Sequence, residues 1–196
     1  NIKEVNSQKN DFLHGEIKKS NYLLAIGRLT KQKNFNLLIN AFYQFNKINN
    51  NYKLLIIGEG EEKRKIISRI NQLELDHKII LLGFKQNVYK YLKNSKAFIL
   101  SSLWEEMGFV IIEAASCNTL IISSNCPNGP SEFLNHGKAG YLFNNNSVND
   151  LVQSLIKFDR EEKNIKYNKI LLAKKNVKKF TIFNHYKELK KILDNK

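Results

Sequence analysis

The chain holds little cysteine and little proline: two of each among 196 residues. Cys117 and Cys126 cannot make a disulfide scaffold and lack the spacing of metal ligands, so the composition fits a reducing compartment, the cytoplasm. Long apolar runs are missing too. None approaches the ~18 residues that a bilayer-spanning helix needs. Residues 1–20 are polar and charged, with no apolar core of an export signal. Arginine is scarce: Arg28, Arg64, Arg69 and Arg160 stand against 28 lysines. Nucleic-acid readers depend on the bidentate guanidinium, so nucleic acid is not the expected partner. Internal repeats and low-complexity linkers are absent, and a hydrophobic share of 42% excludes wholesale disorder.

What the chain has in excess is positive charge, +14 in all. From Lys157 onward there are thirteen basic and five acidic residues, more than half of the excess. A solvated helical face and a tail resting on an anionic membrane surface both accommodate that pattern. The resulting expectation is a cytoplasmic protein, either free or peripheral on the inner face of the membrane.

Short apolar runs alternate with helical periodicity. Runs at 22–26, 52–57, 78–82, 97–100, 119–122 and 141–143 predict strands. Between and after them, apolar residues three and four apart predict helices at 35–42, 61–73, 87–94, through Ile111, Ile112 and Ala115, from Pro130, and at 148–158. Strands that are apolar throughout and separated by helices mean an α/β fold, a Rossmann-like parallel sheet with helices on both faces. Right-handed crossovers bring every strand's carboxyl end to one edge, where ligands bind. Gly27, Gly58, Gly83, Ser101-Ser102 and Ser123-Ser124 fall at that edge. Residues 21–177 are expected to form this domain. Residues 1–20 read as a lead-in, and 178–196 as a carboxyl-terminal helix capped by Thr181.

Three segments at the edge carry usable chemistry. In Ser102-Leu103-Trp104-Glu105-Glu106-Met107-Gly108-Phe109-Val110-Ile111-Ile112-Glu113-Ala114-Ala115, a loop carboxylate and a helix carboxylate lie eight positions apart. Carboxylates accept strongly from sugar hydroxyls. The N–H groups of Met107, Gly108 and Phe109 lie near a helix start, where anions bind. Glu113 sits among Ile111, Ile112, Ala114 and Ala115, so it needs a partner or a cleft. Trp104 could stack on a ring, but reads better as a wedge at a strand end. The second segment, Gly27-Arg28-Leu29-Thr30-Lys31-Gln32-Lys33-Asn34, offers Arg28 and Lys33 as a clamp for a diphosphate. The third, Cys126-Pro127-Asn128-Gly129-Pro130-Ser131-Glu132, is a rigid turn opening a helix, whose N–H groups and Glu132 suit a hydroxyl or a carboxylate. Gly58-Glu59-Gly60 lacks the third glycine of a dinucleotide fingerprint and reads as a turn. His14, His77, His136 and His185 show no metal spacing.

The Gly-Arg-Leu…Lys-Asn segment, the Glu105…Glu113 pair in its Ser-Leu-Trp-Glu…Gly-Phe-Val-Ile-Ile-Glu-Ala setting, and Asn128-Gly129-Pro130-Ser131-Glu132 together resemble the donor-binding half of retaining glycosyltransferases of GT-B architecture. The resemblance covers roughly Tyr22 to Phe158. It implies transfer of a hexose from a UDP- or GDP-linked sugar to a hydroxyl of a glycan or lipid-linked acceptor, with no required metal or other cofactor. It assigns Arg28 and Lys33 to the diphosphate leaving group, Glu105 to the donor sugar and Glu113 to the ribose. Gly27, Met107, Gly108 and Phe109 would lie along the sugar and phosphates, and the loop from Phe84 to Val88 would receive the base. Asn128, Gly129, Ser131 and Glu132 are secondary contacts.

Two departures stand out. The family's loop usually reads Glu-Gly-Phe-Gly, whereas Glu105-Glu106-Met107-Gly108 carries an extra carboxylate, expected to point outward. The chain is also about half the size of a GT-B enzyme, so the amino-terminal, acceptor-binding domain is expected to be missing, with residues 1–20 and the helix at 178–196 as the segments that join or return to it, and the isolated piece is expected to be inactive. The competing reading is a non-catalytic module of the same fold that binds a sugar nucleotide or anionic lipid.

Overall fold

Six short apolar runs become six parallel strands in the computed structural model, which describes residues 20–106, 108–180, 184, 186, 187, 190, 193 and 194. The strands are β1 (Tyr22–Ile26), β2 (Lys53–Ile57), β3 (Ile79–Gly83), β4 (Ala97–Leu100), β5 (Ile121–Ser124) and β6 (Tyr141–Phe143). Helices follow as α1 (Phe35–Ile48), α2 (Lys63–Gln72), α3 (Tyr89–Asn94), α4 (Phe109–Ser116), α5 (Pro130–Phe133), α6 (Val148–Arg160) and α7 (Lys163–Val177). The expected lead-in, Ser20 aside, and Thr181 as a cap lie outside the described residues, as does much of 178–196.

The sheet runs β3-β2-β1-β4-β5-β6, so the chain starts in the middle, winds to one edge and then returns to build the other. β1 pairs with β2 on one side (Ala25 opposite Ile56) and with β4 on the other (Leu24 opposite Phe98). The Rossmann-like reading is thereby confirmed, and its topological switch point falls between β1 and β4.

Side chains alternate across the sheet and divide the core in two. Leu23, Ala25, Leu54, Ile56, Ala97, Ile99 and Ile122 face one layer, which Phe35, Leu38, Phe42 and Phe45 of α1 and Leu151 and Leu155 of α6 close. Tyr22, Leu24, Leu55, Ile57, Phe98, Leu100 and Ile121 face the other, closed by α3, α4 and Ala173 of α7. Because both faces are covered, the strands carry almost no polar positions.

Where the observed elements depart from expectation, hydrogen bonding or packing explains the difference. The fifth strand was expected at 119–122 and runs from Ile121 to Ser124. Thr119 is held back by its neighbours: its N–H donates to the Ala114 carbonyl (3.0 Å) and its hydroxyl to the Leu92 carbonyl (2.7 Å). Ser123 and Ser124 therefore lie buried inside the strand rather than after it. α1 continues to Ile48, six residues beyond its most periodic part, because Phe45 extends the same apolar face.

The glycines at the carboxyl edge serve the chain itself. At Gly58 (φ +148°) a Cβ would stand 1.9 Å from the Gly27 carbonyl oxygen. The Gly58-Glu59-Gly60 turn thus cradles the loop after β1: Gly27 N–H donates to Ile57, Leu29 N–H to Glu59, and Glu62 N–H back to Leu29. We expect Gly58→Ala to destabilise the fold by at least about 2 kcal/mol, since it combines positive φ with a backbone overlap. Denaturant unfolding measures this, and a loss near zero would mean that the loop yields freely.

Candidate functional site

At the switch point the loops leaving β1 and β4 diverge and leave a crevice of about 340 Å³. Gly27, Arg28, Lys33, Glu105, Gly108, Phe109 and Glu113 all line it. Their separation in sequence is bridged by the pairing of β1 with β4, which sets the Gly27–Asn34 loop beside the Ser101–Gly108 loop.

The two loops are joined by a buried ion pair. Lys33 Nζ lies 2.5 Å from Glu105 Oε1, and Glu105 is only 5% exposed. The Lys33 stem reaches the carboxylate by running over Gly27, whose missing side chain leaves room for it. Ser102 Oγ donates to the same oxygen at 2.5 Å. A carboxylate withdrawn from water needs such partners. Around the pair, Ser101 Oγ donates to the Lys33 carbonyl (2.7 Å), Gln32 Nε2 to the Trp104 carbonyl (2.8 Å) and Leu103 N–H to the Gln32 carbonyl (2.8 Å). Asn145 Nδ2 secures the Leu103 carbonyl at 2.8 Å, and Ser124 Oγ the Ser102 carbonyl at 2.6 Å.

The remaining lining groups are open for a ligand. Arg28 is exposed and makes no ion pair among the described residues. Gly108 takes a left-handed conformation (φ 58°) and ends the loop so that α4 can start at Phe109, two-thirds exposed at the rim. Helix starts present unpaired N–H groups and the positive end of the dipole. The Glu113 carboxylate, one turn into α4, has no hydrogen-bond or ion-pair partner among the described residues. Burial pushes its carboxyl above the ordinary range.

Other expected positions lie elsewhere. Phe84 is 74% exposed and Val88 packs against the second core layer; neither lines the crevice. Asn128, Gly129 and Glu132 line a neighbouring cavity of about 310 Å³ that shares Glu106 and Gly108 with the crevice. Ser131 instead pairs with His136 through Oγ and Nδ1 at 3.1 Å. Met107 lies outside the described residues. Glu106, expected to point outward, is exposed yet lines both the crevice and its neighbour. Trp104 is not a buried wedge: it is 48% exposed and contributes its carbonyl. Gln32 and Asn145 were not singled out from the sequence, and Ser101 and Ser124 were placed at the ligand edge without a partner. The signal available was polar side chains at the ends of otherwise apolar strands.

The raised Glu113 carboxyl carries a sign. The folded protein keeps this proton over a window from the ordinary carboxylate value up to the raised one, where the unfolded chain has lost it. Stability therefore falls as pH rises through that window. Glu113→Gln removes the titration, so the ligand-free variant should melt above the parent at neutral pH and match it in acid. Parallel Tm profiles across the acid range would refute this.

Known proteins share this architecture. The sequence pattern of the family described as Glycosyl transferases group 1 matches residues 6–191. An N-acetylgalactosamine-N,N'-diacetylbacillosaminyl-diphospho-undecaprenol 4-alpha-N-acetylgalactosaminyltransferase of Campylobacter jejuni is 33% identical over 137 residues, 70% of this chain and 37% of that one. The crystal structure of a mutant of S. aureus TarM with Fondaparinux, alpha-GlcNAc-glycerol and UDP superposes with a TM-score of 0.76 at 26% identity, covering 86% of this chain and 34% of that one. The C-terminal domain of a glycosyl transferase group 1 family protein of Francisella tularensis shares the fold, with a TM-score of 0.74 at 21% identity over 90% of this chain and 92% of that one. The chain spans between 29% and 37% of the length of the first curated relatives it matches. By the extent of the family match, and with a fold to suit, the chain belongs to the group 1 glycosyltransferases.

Proposed function

We propose that this chain is the carboxyl-terminal, donor-binding domain of a retaining glycosyltransferase that moves a hexose from a nucleoside diphosphate sugar to a hydroxyl of a glycan or lipid-linked acceptor. The observation that carries the reading is the convergence of Arg28, Lys33, Glu105 and Glu113 in one crevice at the sheet's switch point. The fold of the Francisella C-terminal domain supports the placement, the UDP of the TarM complex supports the donor class, and the diphospho-undecaprenol named for the Campylobacter relative supports a lipid-linked acceptor. The acceptor site would come from the rest of the full-length protein, working in the cytoplasm.

Each group has a task. When the bond from the sugar's anomeric carbon to the phosphate oxygen breaks, negative charge grows on the diphosphate. Arg28, Lys33 and the Gly108-Phe109 N–H groups at the start of α4, which all line the crevice, would meet that charge. With these cations in place the reaction needs no metal. Glu105 orients Lys33 through one oxygen and offers the other to donor-sugar hydroxyls. Glu113 would accept from the ribose hydroxyls, which favours its ionised form, so nucleotide affinity should fall as pH drops through its raised pKa.

A thermal-shift titration with UDP, GDP and their sugars is the first test. A folded protein indifferent to all of them would overturn the proposal. In the full-length enzyme, Glu113→Ala and Arg28→Ala should each lower kcat/KM by roughly tenfold to a hundredfold, the worth of one charge-assisted hydrogen bond. Unchanged turnover in Glu113→Ala would end the ribose role. EDTA should leave the rate untouched, and a loss restored by a divalent cation would put a metal into the mechanism.

A further inference from the structure

At the β6 edge of the sheet a cavity of about 430 Å³ lies between β6, α6, α7 and the turn that follows α5. It shares no lining residue with the crevice. Its charge is one-sided. Lys138, Lys157 and Lys169 line it, and among the described residues no aspartate or glutamate does. None of the three lysines makes an ion pair with a described residue.

The walls hold several of these groups in place. Lys169 is half-buried, with Nζ over the Tyr141 ring (4.9 Å to its centre) and 3.5 Å from the Gly137 carbonyl. Glu161, the carboxylate bonded to this wall, is taken by the Tyr141 hydroxyl and stands outside the lining. His136, also in the lining, is met by Ser131 Oγ at Nδ1 (3.1 Å), which leaves Nε2 without a partner. The turn that presents His136 and Lys138 passes through three successive left-handed residues, Asn135 (φ 48°), His136 (φ 52°) and Gly137 (φ 90°). Such a conformation persists only where its surroundings fix it.

Ser154 is the group that asks for a ligand. α6 buries it to 9% exposure, yet its hydroxyl has no hydrogen-bond partner among the described residues, and it faces this cavity. A hydroxyl so far withdrawn from water normally finds a partner. The ligand that suits the whole set is an anion with several acceptor oxygens. A phosphate or diphosphate group takes charge-assisted bonds from the three ammonium groups and further bonds from Ser154 Oγ and His136 Nε2. A carboxylate has only two oxygens to offer these five donors. The position also has a use: β6 and α6 flank the Asn144–Ser147 loop, where Asn145 donates to the Leu103 carbonyl and Asn146 accepts from Asn34, so the cavity and both crevice loops share one structural unit.

We propose that this cavity is a second anion site, which takes a small soluble ligand bearing a phosphate or diphosphate group. The inference goes beyond the donor-binding reading and stands on different residues.

Thermal-shift titration of the full-length protein with inorganic pyrophosphate tests it, with UDP or GDP at saturation to fill the crevice and ionic strength held constant by sodium chloride. Pyrophosphate should raise Tm in a saturable way. The double variant Lys138→Ala, Lys157→Ala, at two exposed positions, should weaken the apparent affinity by roughly tenfold or more, and Ser154→Ala by about tenfold, each through lost bonds to a charged group. Without ligand, Ser154→Ala should melt no lower than the parent, because the hydroxyl it removes has no partner. Arg28→Ala should leave the pyrophosphate response in place. Several results would overturn the proposal: a response no greater than that to sodium chloride, equal affinity of the parent and either variant at this cavity, loss of the response in Arg28→Ala, which would assign the binding to the crevice, or a Ser154→Ala variant that melts well below the parent, which would make its hydroxyl structural. A pyrophosphate response in a protein indifferent to UDP and GDP would leave this site standing and remove the donor reading instead.

Discussion

The Lys33–Glu105 ion pair is the contact on which the crevice depends. A carboxylate almost fully withdrawn from water must be met by a cation and by hydroxyls, and meeting it forces the loop after β1 against the loop after β4. The Ser101 hydroxyl and the Gln32 amide then bind those loops to one another, and the Asn145 amide ties the second of them to the loop after β6, so the pair has little room to relax. Lys33 is thereby held with its ammonium at the crevice wall, while Arg28, five residues earlier on the same loop, stays open to solvent. A single loop offers one fixed and one adaptable cation. That suits a ligand whose charge increases during the reaction.

The glycine turn after β2 supports the same loop from beneath. Gly58 has no side chain because the Gly27 carbonyl occupies that space, and the hydrogen bonds through Glu59 and Leu29 set the height at which Arg28 leaves the sheet. Close approach of backbone to backbone, and not of backbone to ligand, accounts for the glycine at this point. At Gly108 the demand is conformational: the left-handed residue ends the β4 loop and lets α4 start at the crevice wall.

Glu113 shows how a site is supported by a core that it weakens. Its neighbours Ile111, Ala114 and Ala115 fill the second core layer, and the helix that buries them also draws the carboxylate partly out of water. The unmet charge is tolerable where a ligand hydroxyl can satisfy it. Glu106 makes the opposite arrangement, exposed at the rim, and adds negative charge at the junction of crevice and neighbouring cavity.

The sequence by itself determined the strands, their parallel sense and the edge at which the candidate ligand-binding groups gather, because a strand buried on both faces must be apolar throughout and must stop at a glycine or serine. It also determined which residue types stood at that edge; Arg28, Lys33, Glu105 and Glu113 were legible as candidates from their charge and setting. The start of β5 was not legible, since Thr119 is as apolar in context as a strand residue and only its bonds to Ala114 and Leu92 exclude it. Nor could spacing reveal that Trp104 is exposed, that Phe84 and Val88 do not line the crevice, or that Ser131 turns to His136. Those are orientations, and orientation is set by partners far along the chain. Tertiary structure alone decided that β1 and β4 are neighbours, and with that which two loops face each other. Strand order is fixed by how the helices pack across the whole sheet, a property that no local stretch of residues contains.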